Sequence, residues 1–349
     1  MRVLFDIVHP ADVLFFYHPI KRLQAKGAEI KIASRKKDVA CDLLDEFGLE
    51  HSPISGAGSG TLGLASELVR RDFAMLYEAV SWRPDVMIGL GGISIAHAGW
   101  LTRRTSLAFY MADTAKLQTR LTWPFITHLF VPETYSAAIA DGRTTRFPGI
   151  KELSYFHPEN FEVDESRARS AGWDDTQPNF FVRTVKWGAN HDIGKSGWSD
   201  DELGALLDRL STLGKVHLSS ERPVAQRFQR FLYQGAKSDL HHLLAKCRLY
   251  VGESATMAHE AALLGCPGIY DGPDHPGTTR SLAAAGLVEA LRQPGEAQLL
   301  ATVEKWLSEE AFVKFDEAKA EYIASFGNLA DYIVDQIVAF GERGEPAKE

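Results

Sequence analysis

The feature that most restricts how this chain can fold is an alternation of short apolar runs with glycine-stopped amphipathic stretches, which lapses after about residue 150 and restarts at residue 179. Arg2-Val-Leu-Phe-Asp-Ile-Val8 is an apolar run of strand length ending at His9-Pro10, and Val13 to Lys26 reads as a helix stopped by Gly27. Glu29 to Ser34, Val39 to Phe47 and His51 to Ile54 continue as strand, helix and strand. A helix over 64–82, a strand over 84–90, a helix over 94–102 and strands over 106–111 and 128–131 follow. Strands apolar on both faces belong to a parallel sheet between helix layers. The second series begins with a strand at 179–185, then a helix over 200–213, a strand over 215–219 and helices over 223–233 and 239–246. It closes with a strand over 249–252, a helix over 255–264 and a strand over 267–270.

A length of 349 residues agrees with two cores. The expected architecture is α/β, two doubly wound Rossmann-like domains facing across a cleft. Their predicted spans are 1–157 and 158–349, with C-terminal helices at about 302–345 packing back onto the first domain. Open sheets of this kind take ligands outside the carboxyl ends of their strands, at the point where strand order reverses. Candidate residues are therefore those that follow strands.

Composition excludes several classes. With 45% hydrophobic residues and a net charge of -8, the chain is neither disordered nor broadly basic, so nucleic acid is not an expected partner. Three widely spaced cysteines form neither a disulfide framework nor a zinc ligand set, and no signal-peptide pattern opens the sequence, so the expected location is cytoplasmic. Residues 1–157 hold 18 Lys+Arg against 16 Asp+Glu, whereas 158–349 hold 20 against 30, much of the excess lying after residue 302. That acidity reads as solvation of helical surface.

The strongest local signal is Val251-Gly-Glu-Ser-Ala-Thr-Met-Ala-His-Glu260, a strand, a small-residue turn and a helix start. Gly252, Ser254, Thr256 and Met257 sit where free amides and a helix N-terminus favour a phosphate, and Glu260 lies one turn on, within reach of a ribose. The competing reading makes Ser254 or Thr256 a helix cap and leaves His259 and Glu260 in solvent.

This segment resembles the donor-nucleotide motif of GT-B glycosyltransferases and the related nucleotide-sugar 2-epimerases. Over residues 1 to about 290 the chain resembles the archaeal and bacterial domain-of-unknown-function-354 family, labelled as glycosyltransferases. The matching landmarks are Asp6-Ile-Val-His-Pro-Ala-Asp-Val-Leu-Phe-Phe16, Pro84-Asp-Val86, Gly149-Ile-Lys-Glu152 with Tyr155 and His157-Pro158, and Arg183-Thr-Val-Lys-Trp187. Ser196-Gly197, Asp239-Leu-His-His-Leu243 and Gly252 to Met257 with Glu260 complete them. The resemblance implies a GT-B-like fold and a nucleotide-sugar co-substrate, with phosphate held at the small-residue turn and ribose by Glu260.

His9 stands where some inverting GT-B enzymes place a catalytic histidine. It reads either as the base that deprotonates a sugar hydroxyl, oriented by Asp12, or as a strand end with Asp12 capping the next helix. Asp6, inside the strand, is expected to be buried and structural. Arg183, Lys186 and Trp187 follow a strand, and the two cations suit a diphosphate leaving group without a metal ion, since no Asp-x-Asp pair is present. Glu221 and Arg222 follow the next strand as contacts to a base edge. Gly91 and Gly92 allow close backbone approach on the acceptor side, where Asp113 is a second candidate base; tight turns account for the glycines equally well. Arg70-Arg71 and Arg103-Arg104 read as solvated helix ends, with peripheral contact to anionic lipid as the alternative, and His241-His242 as a helix-surface pair.

The leading functional expectation is a metal-independent glycosyltransferase using a UDP-linked sugar and needing no further cofactor, its acceptor a sugar, a lipid-linked group or a small molecule. The alternatives are a UDP-N-acetylhexosamine 2-epimerase, which needs several acids around the sugar, with Asp113, Glu133 and Glu152 the candidates, and a non-catalytic nucleotide-sugar-binding protein.

Overall fold

The computed structural model describes residues 1–36, 39–56, 58, 60–109, 116–139, 142–186 and 197–343. Chain contacts divide it into two units, Met1–Asn160 with the chain from Phe326 onward, and Phe161–Ser325.

In the first unit, β1 (Arg2–Ile7) is buried at every position after Arg2, so it needs cover on both faces. Pro10 opens α1 (Pro10–Ala25), where a missing amide costs no intrahelical bond, and Gly27 ends the turn at φ +81. There follow β2 (Glu29–Lys36), α2 (Ala40–Glu46), β3 (Ser52–Gly56), α3 (Gly60–Ser81), β4 (Val86–Leu90), α4 (Ile93–Thr102) and β5 (Thr105–Phe109). Then come α5 (Lys116–Thr122), β6 (His128–Pro132), β7 (Thr144–Phe147) and α6 (Leu153–Phe156). The sheet order is β3-β2-β1-β4-β5-β6-β7, all neighbours parallel.

The second unit begins with α7 (Glu165–Ser170), β8 (Asn179–Thr184), α8 (Asp200–Ser211), β9 (Lys215–Ser220), α9 (Leu240–Leu244) and β10 (Leu249–Gly252). It continues through α10 (Ala255–Leu264), β11 (Gly268–Asp271), α11 (Gly277–Ala284), β12 (Val288–Leu291), α12 (Glu296–Leu307) and α13 (Glu309–Ala324). Its sheet, also parallel, runs β12-β11-β10-β8-β9. The expected helix over 223–233 is a 3-10 turn at Gln226–Phe231, because Leu232 forms a bridge to Leu218 and the Tyr233 amide donates to the Leu218 carbonyl at 2.8 Å. That pairing pulls the chain into an extended form before a full helix can close.

The units differ in extent from the expected 1–157 and 158–349. The first runs on to Asn160, and of the helices expected to return to it only α14 (Leu329–Arg343) does so; α12 and α13 stay with the second unit. α14 packs on α1, α6 and β4, its Phe340 ring 5.0 Å from His128, and Arg22 of α1 pairs with Asp331 at 2.7 Å.

Candidate functional site

Strand order reverses between β8 and β10 in the second sheet and between β1 and β4 in the first. Of the residues singled out in the sequence, Arg183, Gly252 and Ser254 lie at the β8/β10 switch point and His9, Gly91 and Gly92 at the β1/β4 one. In the second unit Ser219, Arg183, Gly252 and Tyr270 are register partners in turn, a row across the carboxyl ends of β9, β8, β10 and β11.

Two of these strands end in the same device. The buried Tyr250 hydroxyl donates to the Ser254 carbonyl at 3.1 Å, and a Cβ on Gly252 would lie 2.4 Å from that hydroxyl and 2.8 Å from the Arg183 carbonyl oxygen. On β11 the Tyr270 hydroxyl donates to the Asp274 carbonyl at 3.0 Å, and a Cβ on Gly272 would lie 2.1 Å from it. Gly252 is therefore required by a tyrosine of the protein itself. Ser254 caps α10, its Oγ accepting from the Met257 amide at 3.4 Å. Thr256 is half-buried in the first turn, whose remaining amides have no intrahelical acceptor.

Glu260 and His259 are buried, not solvent-facing. The Glu260 Oε2 meets His241 Nε2 at 3.1 Å, and its Oε1 makes no hydrogen bond among the described residues. His259 Nε2 lies 2.9 Å from the Thr279 hydroxyl. His241 and His242, expected on a helix surface, are both buried because α9 is covered by α7 on one side and α10 on the other. The amide of Asp164 donates to His242 Nδ1 at 3.0 Å. His241 is thus a residue of the site that sequence reasoning missed. As a test of the ribose contact that the resemblance implies, Glu260→Ala is expected to weaken UDP binding about tenfold, roughly the worth of one charge-assisted hydrogen bond. Calorimetric titration checks this, and unchanged affinity would remove Glu260 from the site.

Arg183 is less available than its position promised. Its guanidinium donates to the Ser219 hydroxyl and pairs with the Glu221 carboxylate, while its buried Nε has no partner among the described residues. Glu221 also accepts from the Lys186 amide at 3.2 Å, so this half-exposed carboxylate organises the corner after β8 and β9. Arg222 is likewise committed, to Asp200 at 3.2 Å and the Trp198 carbonyl at 2.8 Å. The Lys186 side chain is exposed. Trp187 lies outside the described residues.

Glu253 was passed over in the sequence between Gly252 and Ser254. It is buried, and its carboxylate accepts from the amides of Val185 at 3.0 Å and Trp198 at 2.7 Å, joining the chain after β8 to the approach to α8. The Trp198 indole donates to Asp271 at 2.7 Å, and Asp271 also accepts from the Gln293 amide at 2.8 Å. Glu253, Asp271, Trp198, Glu202 and Gln293 line a cavity of about 220 Å³. Among the described residues no group of His, Cys, Asp and Glu side chains is placed to hold a metal ion.

In the first unit His9 is the N-cap residue of α1. Asp12 is buried and accepts from the amides of Val8 at 2.7 Å and His9 at 3.0 Å, so it holds the backbone of the turn that carries His9. Burial, only partly offset by these hydrogen bonds, raises its carboxyl to about 7. A carboxyl whose native pKa is raised adds stability that is complete below the unfolded value and is lost as pH rises through about 7. Asp12→Asn, which keeps the acceptor without the charge, is expected to gain stability relative to the parent from pH 5 to pH 8; urea unfolding across that range reads the difference.

Gly91 and Gly92 have φ of +75 and +55, and a Cβ on Gly91 would lie 1.7 Å from Gln118 Nε2. The space over Gly91 is filled by Gln118, not left for a substrate. Asp113 lies outside the described residues. Asp6 is buried as expected, but its partner is Arg71, which was read as a solvated helix end and is buried on α3. No helix among the described residues is long and apolar enough to cross a membrane.

No family model and no curated protein matches the chain. Solved structures do. The chain is similar to MnaA of S. aureus determined with UDP, at 12% identity and TM-score 0.73, over 100% of this chain and 99% of that one. It is similar to UDP-GlcNAc 2-epimerase of Neisseria meningitidis bound to UDP-GlcNAc, at 12% identity and TM-score 0.70, over 97% and 100%. It is also similar to the spinosyn forosaminyltransferase SpnP, at 16% identity and TM-score 0.67, over 98% and 100%. The two parallel-sheet Rossmann-like units therefore have the fold shared by UDP-GlcNAc 2-epimerases and GT-B glycosyltransferases.

Proposed function

We propose that the protein is a glycosyltransferase that moves a sugar from a nucleoside diphosphate, UDP in the first instance, to an acceptor hydroxyl. The observation that carries this reading is the assembly at the β8/β10 switch point of a capped helix N-terminus, Arg183 and a buried Glu260 with one carboxylate oxygen open. The first-turn amides of α10 suit the diphosphate, and Glu260 Oε1 suits the ribose hydroxyls. His241 fixes Glu260 and leaves that oxygen as acceptor. As the bond from the anomeric carbon to the diphosphate breaks, the charge on the departing oxygen falls to those amides and to Arg183. The acceptor oxygen forms the new bond and gives its proton to a general base, for which His9, the residue the sequence resemblance implies, is the candidate. Uridine is the first base to test because similar structures hold UDP or UDP-GlcNAc.

Binding of UDP by calorimetry, followed by release of UDP from UDP-sugars in the presence of acceptor mixtures, tests the reading; absence of affinity for any nucleoside diphosphate overturns it. His9→Ala is expected to lower turnover about 100-fold with UDP affinity unchanged.

The 2-epimerase reading is favoured by the similarity to epimerases. It needs carboxylates around the sugar, and the described strand ends of the first unit supply few. β4 runs into Gly91-Gly92, Glu152 is buried beside Lys151, and Glu133 is exposed after β6. Incubation with UDP-GlcNAc alone in deuterated water separates the two, since an epimerase exchanges the C2 hydrogen without an acceptor.

A further inference from the structure

α3 is apolar on two opposite faces. Met75 and Ala79 lie inward, while Val69, Phe73, Tyr77 and Val80 repeat at helical spacing on the outside, joined by Trp100 and Leu101 at the end of α4. These six side chains are 54% to 70% exposed. At such exposures the three aromatic rings alone leave roughly 400 Å² in water, already the size of the largest patch on an ordinary monomer. Between the two helices the face is indented by a groove of about 370 Å³, floored by His97, Leu76 and Phe125.

The exposed charged side chains flanking this face on and just after α3 and α4 are arginines, while Asp72, which also lines the groove, is paired with His97. Arg70 beside the α3 stripe, Arg83 at its end and Arg103 just after Leu101 are exposed, and none makes an ion pair among the described residues. The acids of α3 are spent elsewhere: Glu67 on Arg35, Asp72 on His97 and Glu78 on Lys31; α4 carries none.

The geometry points to this face as the surface by which the protein docks on an anionic lipid bilayer. Phe73, Tyr77 and Trp100 enter the headgroup boundary, where aromatic rings partition favourably, and the flanking arginines meet lipid phosphates. A second copy of the chain is the less suitable occupant. A two-fold contact would bring two copies of the same arginine-flanked surface together, with no exposed carboxylate on α3 or α4 to receive those arginines. A bilayer rich in phosphatidylglycerol supplies the missing charge over the whole face.

The full chain should therefore co-sediment with vesicles of phosphatidylcholine and phosphatidylglycerol, and much less with phosphatidylcholine alone. The double variant Phe73→Ser with Trp100→Ser is expected to lose about tenfold or more in partition coefficient. Arg70→Glu with Arg103→Glu is expected to lose about fivefold or more on the anionic vesicles only. All four side chains are solvent-exposed, so both variants should keep the parent's thermal unfolding temperature, which confirms that they fold. No binding to anionic vesicles by the parent, or binding indifferent to both variants, overturns the proposal. So does a dimer in sedimentation velocity that the serine variant dissociates, since the face would then be a self-contact.

Discussion

Arg71→Met should unfold the first unit more readily than any other single change discussed, by about 3–5 kcal/mol in urea denaturation. Arg71 and Asp6 are both buried, and the guanidinium also donates to the Ser55 hydroxyl at 2.7 Å and the Ser34 carbonyl at 3.4 Å. Methionine fills much of the same volume but leaves the Asp6 carboxylate in the interior without its counter-charge. The cost is that of an uncompensated buried charge and not the net worth of the pair, so Asp6→Asn with Arg71→Met should recover a large part of the loss. The pair also reaches the candidate site. The Asp6 charge raises the Asp12 carboxyl and the Arg71 charge lowers it, so the single variant should push Asp12 further up and the double variant should not. A loss below about 1 kcal/mol would mean that the carboxylate had found water or a proton, contrary to the packing described.

Glu253→Ala is expected to cost about 3 kcal/mol in the unfolding of the second unit and at least tenfold in UDP affinity. The carboxylate is the acceptor for two main-chain amides, at Val185 and Trp198, that lie 68 and 55 residues before it in sequence. Truncation leaves both donors without it and releases the corner that carries Arg183, Lys186 and Glu221. Glu253→Gln keeps a single carbonyl oxygen, enough for one amide, and should fall between the parent and the alanine variant. Separate readings of stability and of calorimetric affinity are needed, because a loss of stability with full UDP affinity would place Glu253 outside the binding corner.

Most of the fold was legible because buried parallel strands announce themselves as continuous apolar runs and glycine marks the helix ends. What escaped was what lacks those signals. β7 reads Thr-Thr-Arg-Phe and β12 reads Val-Glu-Ala-Leu, sheet-edge strands too polar to stand out from loops. α3 carries an apolar stripe on each side, so periodicity could not say which side faces the core, and Arg71 fell on the inner one. The positions of Arg183, Gly252 and Ser254 were read correctly as the ends of strands and the start of a helix. Their partners were not, since the commitments of Glu221 to Arg183, of His241 to Glu260 and of Gln118 to the space over Gly91 arise only when distant segments meet.

The paired tyrosine latches on β10 and β11 bear on the thermodynamics of recognition. In each, a hydroxyl from inside the sheet ties down a carbonyl four residues later, so the shape of the turn is settled when the chain folds. Ordering a loop around a ligand consumes interaction energy at the moment of binding. Here that entropy has already been spent in folding, so contacts to a diphosphate at the start of α10, where the proposed function puts one, would appear in full as affinity. A net-acidic half of the molecule can in this way hold a doubly charged ligand with a few fixed dipoles and no surplus of positive charge.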